Sequence, residues 1–383
     1  MDVSLAKFWR EIERNGTPVI ERMNGDSHNV VVTFLWRGGR ETQAVELIAP
    51  LESVPGMPHL SLTPLPETNV WYRSWTMPDD VRFTYRLTPS ATASDRRQVT
   101  VPDPLNPSRM TISFEGGTIP TTELAIASMP NALTEEWITK QPSAPEGSVV
   151  QQVVNGVLSG ERKIWVYTPP RYDQRAPESY PLLVLFDGFS YLHWIPTSTI
   201  LDNLIHARKI PPLVAVLIDN SPNTRSSDLG YNTAFVEYLS DQLLPWIRTH
   251  YAVTHNAGRT IIGGYSDGGA AAAFTAMKRP DLFGNVLSQS GSFWEGHGAT
   301  KWEFLATQYT ERAKLPLHFF IEAGLLEDIA KDGPSLLAAN RHLVEVLRKK
   351  NYDITYQEVG GTHEPVHWRD TLPEGLISLS KAF

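Results

Sequence analysis

Four near-continuous apolar runs constrain this chain most: PLLVLFD at 181–187, LVAVLID at 213–219, TIIGG at 260–264 and LHFFIEAG at 317–324. Each is of strand length, and none alternates with polar residues. Such runs suit strands buried on both faces, the environment of a parallel sheet covered by helices. The segments between them supply the helices. Residues 193–209 can form one, and TAFVEYLSDQLLPWIRTHY at 233–251 is a long amphipathic one with Pro245 as a kink or boundary. PSLLAANRHLVEVLRKKN at 334–351 carries basic residues in its last turn, which complements the helix dipole. RKIWVYTPP at 162–170 and ITYQEV at 354–359 add a strand on either side. Strands alternating with helices predict an α/β fold with a mainly parallel sheet.

The first 145 residues read differently. Apolar segments are short and broken by turn residues: VVVTFLW at 30–36, NVWYRSWTM at 69–77 and VRFTYRL at 81–87. Aromatic and β-branched runs at short spacing predict a smaller all-β sandwich. A charged amphipathic helix with Leu5, Phe8 and Ile12 on one face precedes it, and the polar stretch TKQPSAPEGS at 139–148 reads as a linker. The expected domains are 1–145 and 146–383.

Acidic residues outnumber basic ones, 42 to 34, for a formal net charge of −8. This argues against nucleic-acid binding by bulk charge and requires local arginines for any anionic ligand. Cysteine is absent, which excludes disulfides, thiolate metal sites and a cysteine nucleophile. No run approaches the ~18 apolar residues of a membrane span, and the N-terminus lacks a signal-peptide pattern. The expectation is a cytoplasmic protein with no membrane partner, no resident metal and no cofactor.

Gly264-Tyr265-Ser266-Asp267-Gly268 lies between an apolar strand and the Ala-rich segment AAAAFTAMKR. G-x-S-x-G at a strand–turn–helix junction is a nucleophile elbow, which lifts a serine hydroxyl above a sheet edge. A serine needs a base, and the base an orienting acid. The order serine, acid, histidine is available. Glu327 and Asp328 follow the strand LHFFIEAG, with Glu327 favoured and a Ser–His dyad as the alternative. His363 follows ITYQEV in a Gly-flanked loop, with His367 as its rival. Glu322, inside the apolar run, reads as a buried, paired carboxylate. The amide of Asp267 is one expected oxyanion donor, and that of Phe189, after the strand PLLVLFD, is the second.

The segment IIGGYSDGGAAAAFTAMKRPDLFGNVLSQSGSFW resembles the esterase D-type branch of α/β-hydrolases, and more closely the enterochelin (enterobactin) esterases. VTFLWRGG at 32–39 and DPLN at 103–106 are similar to their N-terminal domain. IWVYTP at 164–169, LFDG at 185–188 and VLIDN at 216–220 follow in family order. Arg225, Asp228, Leu229, Asn232 and Phe235 match one family segment, and GGTHEPVHWR at 360–369 is similar to the terminal one. The resemblance implies Ser266 as nucleophile, His363 as base and Glu327 as acid, and it disfavours His367. Two positions depart from the pattern. Thr362 is inserted before His363, and Asp267 replaces an apolar or aromatic residue, placing negative charge beside the oxyanion site.

The resemblance further implies hydrolysis of a catecholate siderophore trilactone, apo or ferric, with iron arriving as part of the substrate. Such an anion would be met by Arg225, Arg369 and Arg73, with Asn232, Trp368, Trp71 and Trp75 as further substrate contacts. A general carboxylesterase acting on aryl or sugar esters is the alternative within this fold. A non-catalytic siderophore-binding protein is the alternative from another class.

Overall fold

The computed structural model describes residues 3–383 except 24, 52–60, 91–98, 115–119, 157–159, 177, 221–223, 329 and 331. The chain divides into two compact units. One comprises Met1–Leu133 together with Val359–His367, and the other Thr134–Glu358 with Trp368–Phe383.

The first unit holds two four-stranded sheets. Strands β1 (Val19–Arg22), β2 (Asn29–Arg37), β4 (Thr63–Pro64) and β5 (Val70–Pro78) form one, in the order β1-β2-β5-β4. Strands β3 (Ala44–Ile48), β6 (Arg82–Ser90), β7 (Arg109–Ile112) and β8 (Thr122–Ser128) form the other, in the order β3-β6-β8-β7. Neighbours are antiparallel throughout. Val30, Val32 and Phe34 alternate inward along β2, as a half-buried strand requires. The Phe34 ring meets Phe83 and Tyr85 of β6 at 6.3 and 4.9 Å, so the two sheets share one core. The helix Val3–Asn15 packs Trp9 and Ile12 against Leu35 and Val70.

The DPLN segment stabilises this sandwich. Asp103 is fully buried, and its carboxylate accepts hydrogen bonds from Thr17 Oγ1 (2.7 Å), the Tyr85 hydroxyl (2.7 Å) and the Leu105 amide (2.9 Å). Asn106 donates to the Tyr85 hydroxyl and to the Ile126 carbonyl. Burial, and then the Asp103 charge, push the Tyr85 phenol well above its usual range.

In the second unit an eight-stranded sheet runs β16-β15-β14-β13-β11-β12-β10-β9. Its members are β9 (Ser148–Gly156), β10 (Gly160–Thr168), β11 (Leu182–Leu185), β12 (Val214–Ile218), β13 (Thr260–Tyr265), β14 (Asn285–Gln289), β15 (His318–Gly324) and β16 (Asp353–Val359). From β12 to β15 neighbours are parallel, whereas β10 is antiparallel to both β12 and β9. Successive residues face opposite cores: Val184, Val216 and Ile262 enter one, Leu183, Leu217 and Ile261 the other. The predicted apolar runs are therefore buried on both faces. The chain leaves β11 toward β12 on one side, and leaves β13 toward β14 on the other. The carboxyl ends of β11 and β13 thus flank a topological switch point, where open α/β sheets place their sites.

Three elements differ from expectation. The predicted helix at 233–251 is built as Thr233–Tyr238, a π-helical turn at Leu239–Leu243, and Leu244–His250. Pro245 has no N–H to donate and falls in the first turn of the last piece, where none is needed. The segment predicted helical at 193–209 holds one helix, Thr197–His206, preceded by a short one at Gly188–His193. Strand β14 carries Asn285, Ser288 and Gln289, which mask its apolar pattern. The Asn285 amide donates to the Gly258 and Thr260 carbonyls, and that of Gln289 to Trp368 O and Thr371 Oγ1.

Replacing Asp103 by Ala should remove three buried acceptor contacts and lower unfolding stability by roughly 2–4 kcal/mol, measurable as a lower urea midpoint. An unchanged midpoint would show that the DPLN segment contributes nothing to the sandwich.

Candidate active site

Ser266 follows β13 directly and is the N-cap residue of the helix Asp267–Lys278. Its backbone sits at φ 55, ψ −125, a region that non-glycine residues enter only when held there. The hold is visible. Its N–H donates to the Gln289 carbonyl (2.9 Å), and its carbonyl accepts from Ser292 (2.9 Å), Gly269 (3.1 Å) and Ala270 (3.2 Å). Strand and helix meet so closely that a Cβ on Gly264 would lie 2.6–2.8 Å from Gly268 backbone atoms. Ser266 is half-buried, and its Oγ is 3.3 Å from Ser292 Oγ. The amide of Asp267 is the first of the helix, where amides have no acceptor within the helix. A cleft of about 130 Å³ opens at the elbow, with Ser226, Tyr231, Asp267, Ser292 and Glu295 in its wall.

Below the elbow, the Trp368 indole stacks on the Tyr265 ring at 4.2 Å and donates through Nε1 to Ser290 Oγ (2.8 Å). Trp368 is almost fully buried behind Tyr265. The Tyr265 hydroxyl donates to Ser190 Oγ (2.9 Å), which ties the elbow to the loop after β11.

That loop places Asp187, at φ 54, before Gly188 and Phe189. A Cβ on Gly188 would lie 2.6 Å from the backbone of Leu217 in β12, so only glycine allows this approach. The Asp187 carboxylate is buried and takes two hydrogen bonds from Arg225, both 2.8 Å, while Arg225 also donates to Asp267 Oδ2 (2.7 Å). Burial pushes the Asp187 carboxyl up, and Arg225 pulls it partly back. Desolvation works against the Arg225 charge, but its hydrogen bonds and the charges of Asp187 and Asp267 outweigh it and hold the guanidinium above its usual range. Arg225, expected to meet substrate, is thus engaged by two carboxylates of its own chain.

After β15, the two carboxylates separate. Glu327 is fully buried; its Oε2 accepts the Gly324 amide (3.0 Å), and its carbonyl accepts Leu337 N–H (3.3 Å). Asp328 is exposed. Glu322 is buried within β15 and accepts a long hydrogen bond from Ser290 Oγ (3.4 Å).

The histidine loop belongs to the first unit. The Gly360 carbonyl accepts Arg82 N–H (2.8 Å), and Gly361 bridges Arg82 in parallel register. Glu364 is buried and accepts the Thr84 amide (3.0 Å), the Thr84 hydroxyl and the Thr362 hydroxyl (2.7 Å). Burial still pushes its carboxyl upward. Thr362, the inserted residue, is therefore one of the groups that fix the turn. His363 is half-buried in it. His367 is only 2% exposed, packed so tightly on Gly361 that a Cβ there would lie 2.7 Å from its Nδ1.

The remaining expected substrate contacts have structural partners. Asn232 caps the helix Thr233–Tyr238, accepting from Ala234 and Phe235 and donating to the Ser227 carbonyl. Arg369 is 8% exposed and paired with Glu135. Arg73 lies over the Trp75 ring at 5.5 Å, and Trp71 is half-buried. Sequence reasoning overlooked Ser292 and the Asp187 carboxylate. The signal for Asp187 was present: an apolar strand ending in Asp, just before Gly188. Among the described residues no cluster of three or more His, Asp or Glu could hold a metal ion, and no helix is long and apolar enough to cross a membrane.

A mainly parallel sheet, an elbow serine at its switch point and a separate antiparallel sandwich define an α/β-hydrolase with an added β domain. The family model for putative esterases matches residues 156–379, and that for the enterochelin esterase N-terminal domain matches 31–138. The chain belongs to the enterochelin esterase family and is a hydrolase acting on esters. It is 28% identical to the iron(III) enterobactin esterase of Escherichia coli K12, over 99% of this chain and 97% of that one. It is 29% identical to the iron(III) salmochelin esterase of E. coli O6:H1, over 76% of this chain and 72% of that protein. Among solved structures, the ferric enterobactin esterase of Salmonella typhimurium superposes with a TM-score of 0.80 at 25% identity, covering 98% of both chains. The enterobactin esterase of Shigella flexneri, crystallised in the presence of enterobactin, gives 0.78 at 25% identity over 99% of both.

Gly264→Ala should force strand and helix apart at the elbow. The expected outcome is a lower melting temperature, from overpacking worth about 1–3 kcal/mol, together with loss of most esterase turnover. Wild-type turnover in this variant would contradict the close approach.

Proposed function

We propose that this hydrolase cleaves the lactone esters of a catecholate siderophore such as enterobactin, apo or ferric, and so releases iron in the cytoplasm. The observation that carries the reading is end-to-end similarity: both the sandwich and the hydrolase region match enterobactin esterases along nearly the whole of each chain. The substrate class is that of those relatives, which are enterobactin esterases. The two family-model matches leave residues 139–155 between them, and the proposed boundary at 145 falls in that gap, although the compact units part at Leu133 and Val359–His367 goes with the sandwich.

The proposed chemistry is acyl transfer. Ser266 Oγ attacks the lactone carbonyl while His363 takes its proton, and Glu327 orients the imidazolium. The amides of Asp267 and Phe189 hold the oxyanion. Collapse expels the alcohol, which takes the proton from His363. Water, activated by the same histidine, then frees the acid and Ser266. The half-exposed hydroxyl at a strained turn supports the nucleophile assignment. Burial of Glu327, against exposure of Asp328, supports the choice of acid. In this reading Trp368, Asn232 and Arg369, expected as substrate contacts, act from behind the surface that meets the substrate: Trp368 backs Tyr265, Asn232 caps the helix Thr233–Tyr238, and Arg369 is held by Glu135. No cofactor is needed, because iron enters as cargo.

Ser266→Ala and His363→Ala should each lower kcat by more than about 1000-fold on an activated ester and on a catecholate trilactone. Near wild-type turnover by either variant would remove the mechanism. Efficient cleavage of simple aryl esters with none of the trilactone would leave a general carboxylesterase. Tight ferric-catecholate binding without product would leave a binding protein. Glu327→Gln should lower kcat more than Asp328→Asn, and the reverse order would reassign the acid.

A further inference from the structure

Two carboxylates flank the elbow of a reaction that builds negative charge, and among the described residues one cation, Arg225, meets both. Asp267 is the residue after the nucleophile, and Asp187 stands two before Phe189. Arg225 grips Asp187 with two nitrogens at 2.8 Å each and Asp267 with a third at 2.7 Å. Its side chain is 26% exposed and lies over the Tyr265 ring at 5.8 Å.

The grip is itself anchored. Arg225 opens the helix Arg225–Leu229, whose buried Asp228 accepts from Arg162 (2.8 Å) and Asn220 Nδ2 (3.1 Å). Asn220 Oδ1 in turn accepts the Asp187 amide (3.1 Å). Other ties join the same two segments. Phe186 N–H donates to the Gly263 carbonyl (3.0 Å), and a Cβ on Gly268 would lie 3.3 Å from Asp187 Oδ2. The loop after β11 and the elbow after β13 are therefore held in one fixed relation, with the guanidinium as their charged link.

We propose that Arg225 is a positioning residue for the oxyanion hole. By bridging Asp187 and Asp267 it sets the separation of the Phe189 and Asp267 amides, and it offsets carboxylate charge beside the developing oxyanion. The inference rests on the assignment of Ser266 as nucleophile with those amides as donors. A planar fork that binds two carboxylates at once has geometry that an ammonium lacks. The presence of Asp267 where the family pattern has an apolar residue also gains a purpose, as the second anchor of the fork.

The test uses the full-length enzyme on p-nitrophenyl acetate, a neutral ester with nothing for a substrate-binding arginine to hold. Arg225→Met should lower kcat about 10- to 100-fold with KM changed less than about threefold, since small displacements of catalytic groups cost about this much. The Ki of phenylboronic acid, which mimics the tetrahedral state at Ser266, should rise by a similar factor. Arg225→Lys should recover only part of the rate. In Arg225→Met/Asp267→Asn, removal of the unneutralised carboxylate should raise kcat at least about fivefold over Arg225→Met. Thermal melts and titration of active sites with a fluorophosphonate correct for any unfolded fraction. If Arg225→Met folds poorly, Arg225→Lys carries the same kcat and Ki measurements.

Unchanged kcat on the neutral ester, or a rate loss that vanishes after correction for active sites, overturns the inference. A rise in KM at constant kcat overturns it in favour of a substrate-binding cation. Failure of the underlying reading looks different: the fluorophosphonate would not label Ser266 in the wild type, and Ser266→Ala would keep its turnover.

Discussion

The contact between Gly264 and Gly268 governs this molecule. Strand β13 and the helix after it approach so closely that Gly264 has no room for a side chain against the Gly268 backbone, and Ser266 between them turns through a strained backbone. Strain of this kind typically costs about 1–3 kcal/mol and persists only where neighbours over-determine it. Here the neighbours are the Gln289 carbonyl below and the Ser292, Gly269 and Ala270 amides above. What the strain yields is a hydroxyl raised clear of the sheet, with a helix start beside it.

The supports around the elbow form a polar relay rather than a set of isolated pairs. It runs from Arg162 in β10 through Asp228 and Asn220 to Asp187, then through Arg225 to Asp267. Most of it is buried, so each member depends on the next for its desolvated charge or amide. The relay crosses the loops after β11 and β12 and ends at the elbow after β13, which are the loops that a switch-point site must bring together. On the other side Tyr265 is backed by Trp368, and β14 is locked by Gln289.

Much of this was legible in the chain. The apolar runs at 181–187, 213–219 and 260–264 carry no alternation because both faces of their strands are buried, and G-x-S-x-G marks a place where strand and helix meet too closely for a side chain at Gly264. Strand β14 was hidden because three of its five residues are polar and their partners lie far away in sequence. The arginine of the family segment at 225 looked like a substrate cation, since charge alone does not reveal that two carboxylates from other loops claim it. Trp368 resembled an aromatic contact for the same reason; its stacking on Tyr265 is a tertiary fact. Pro245 signals an interruption in the sequence, but only the backbone shows a π-helical turn at Leu239–Leu243 ahead of it.

The loop of residues 359–367 has a consequence for the integrity of the first unit. It is read late, yet it is grafted onto β6 through Thr84, Glu364 and Arg82, residues at opposite ends of the polypeptide. Modular exchange of the N-terminal portion for another would sever the footing of the segment that bears His363. The two parts therefore depend on each other: a change that removes the Thr84 hydrogen bonds to Glu364 loosens the loop that carries His363, although 280 positions separate the pair.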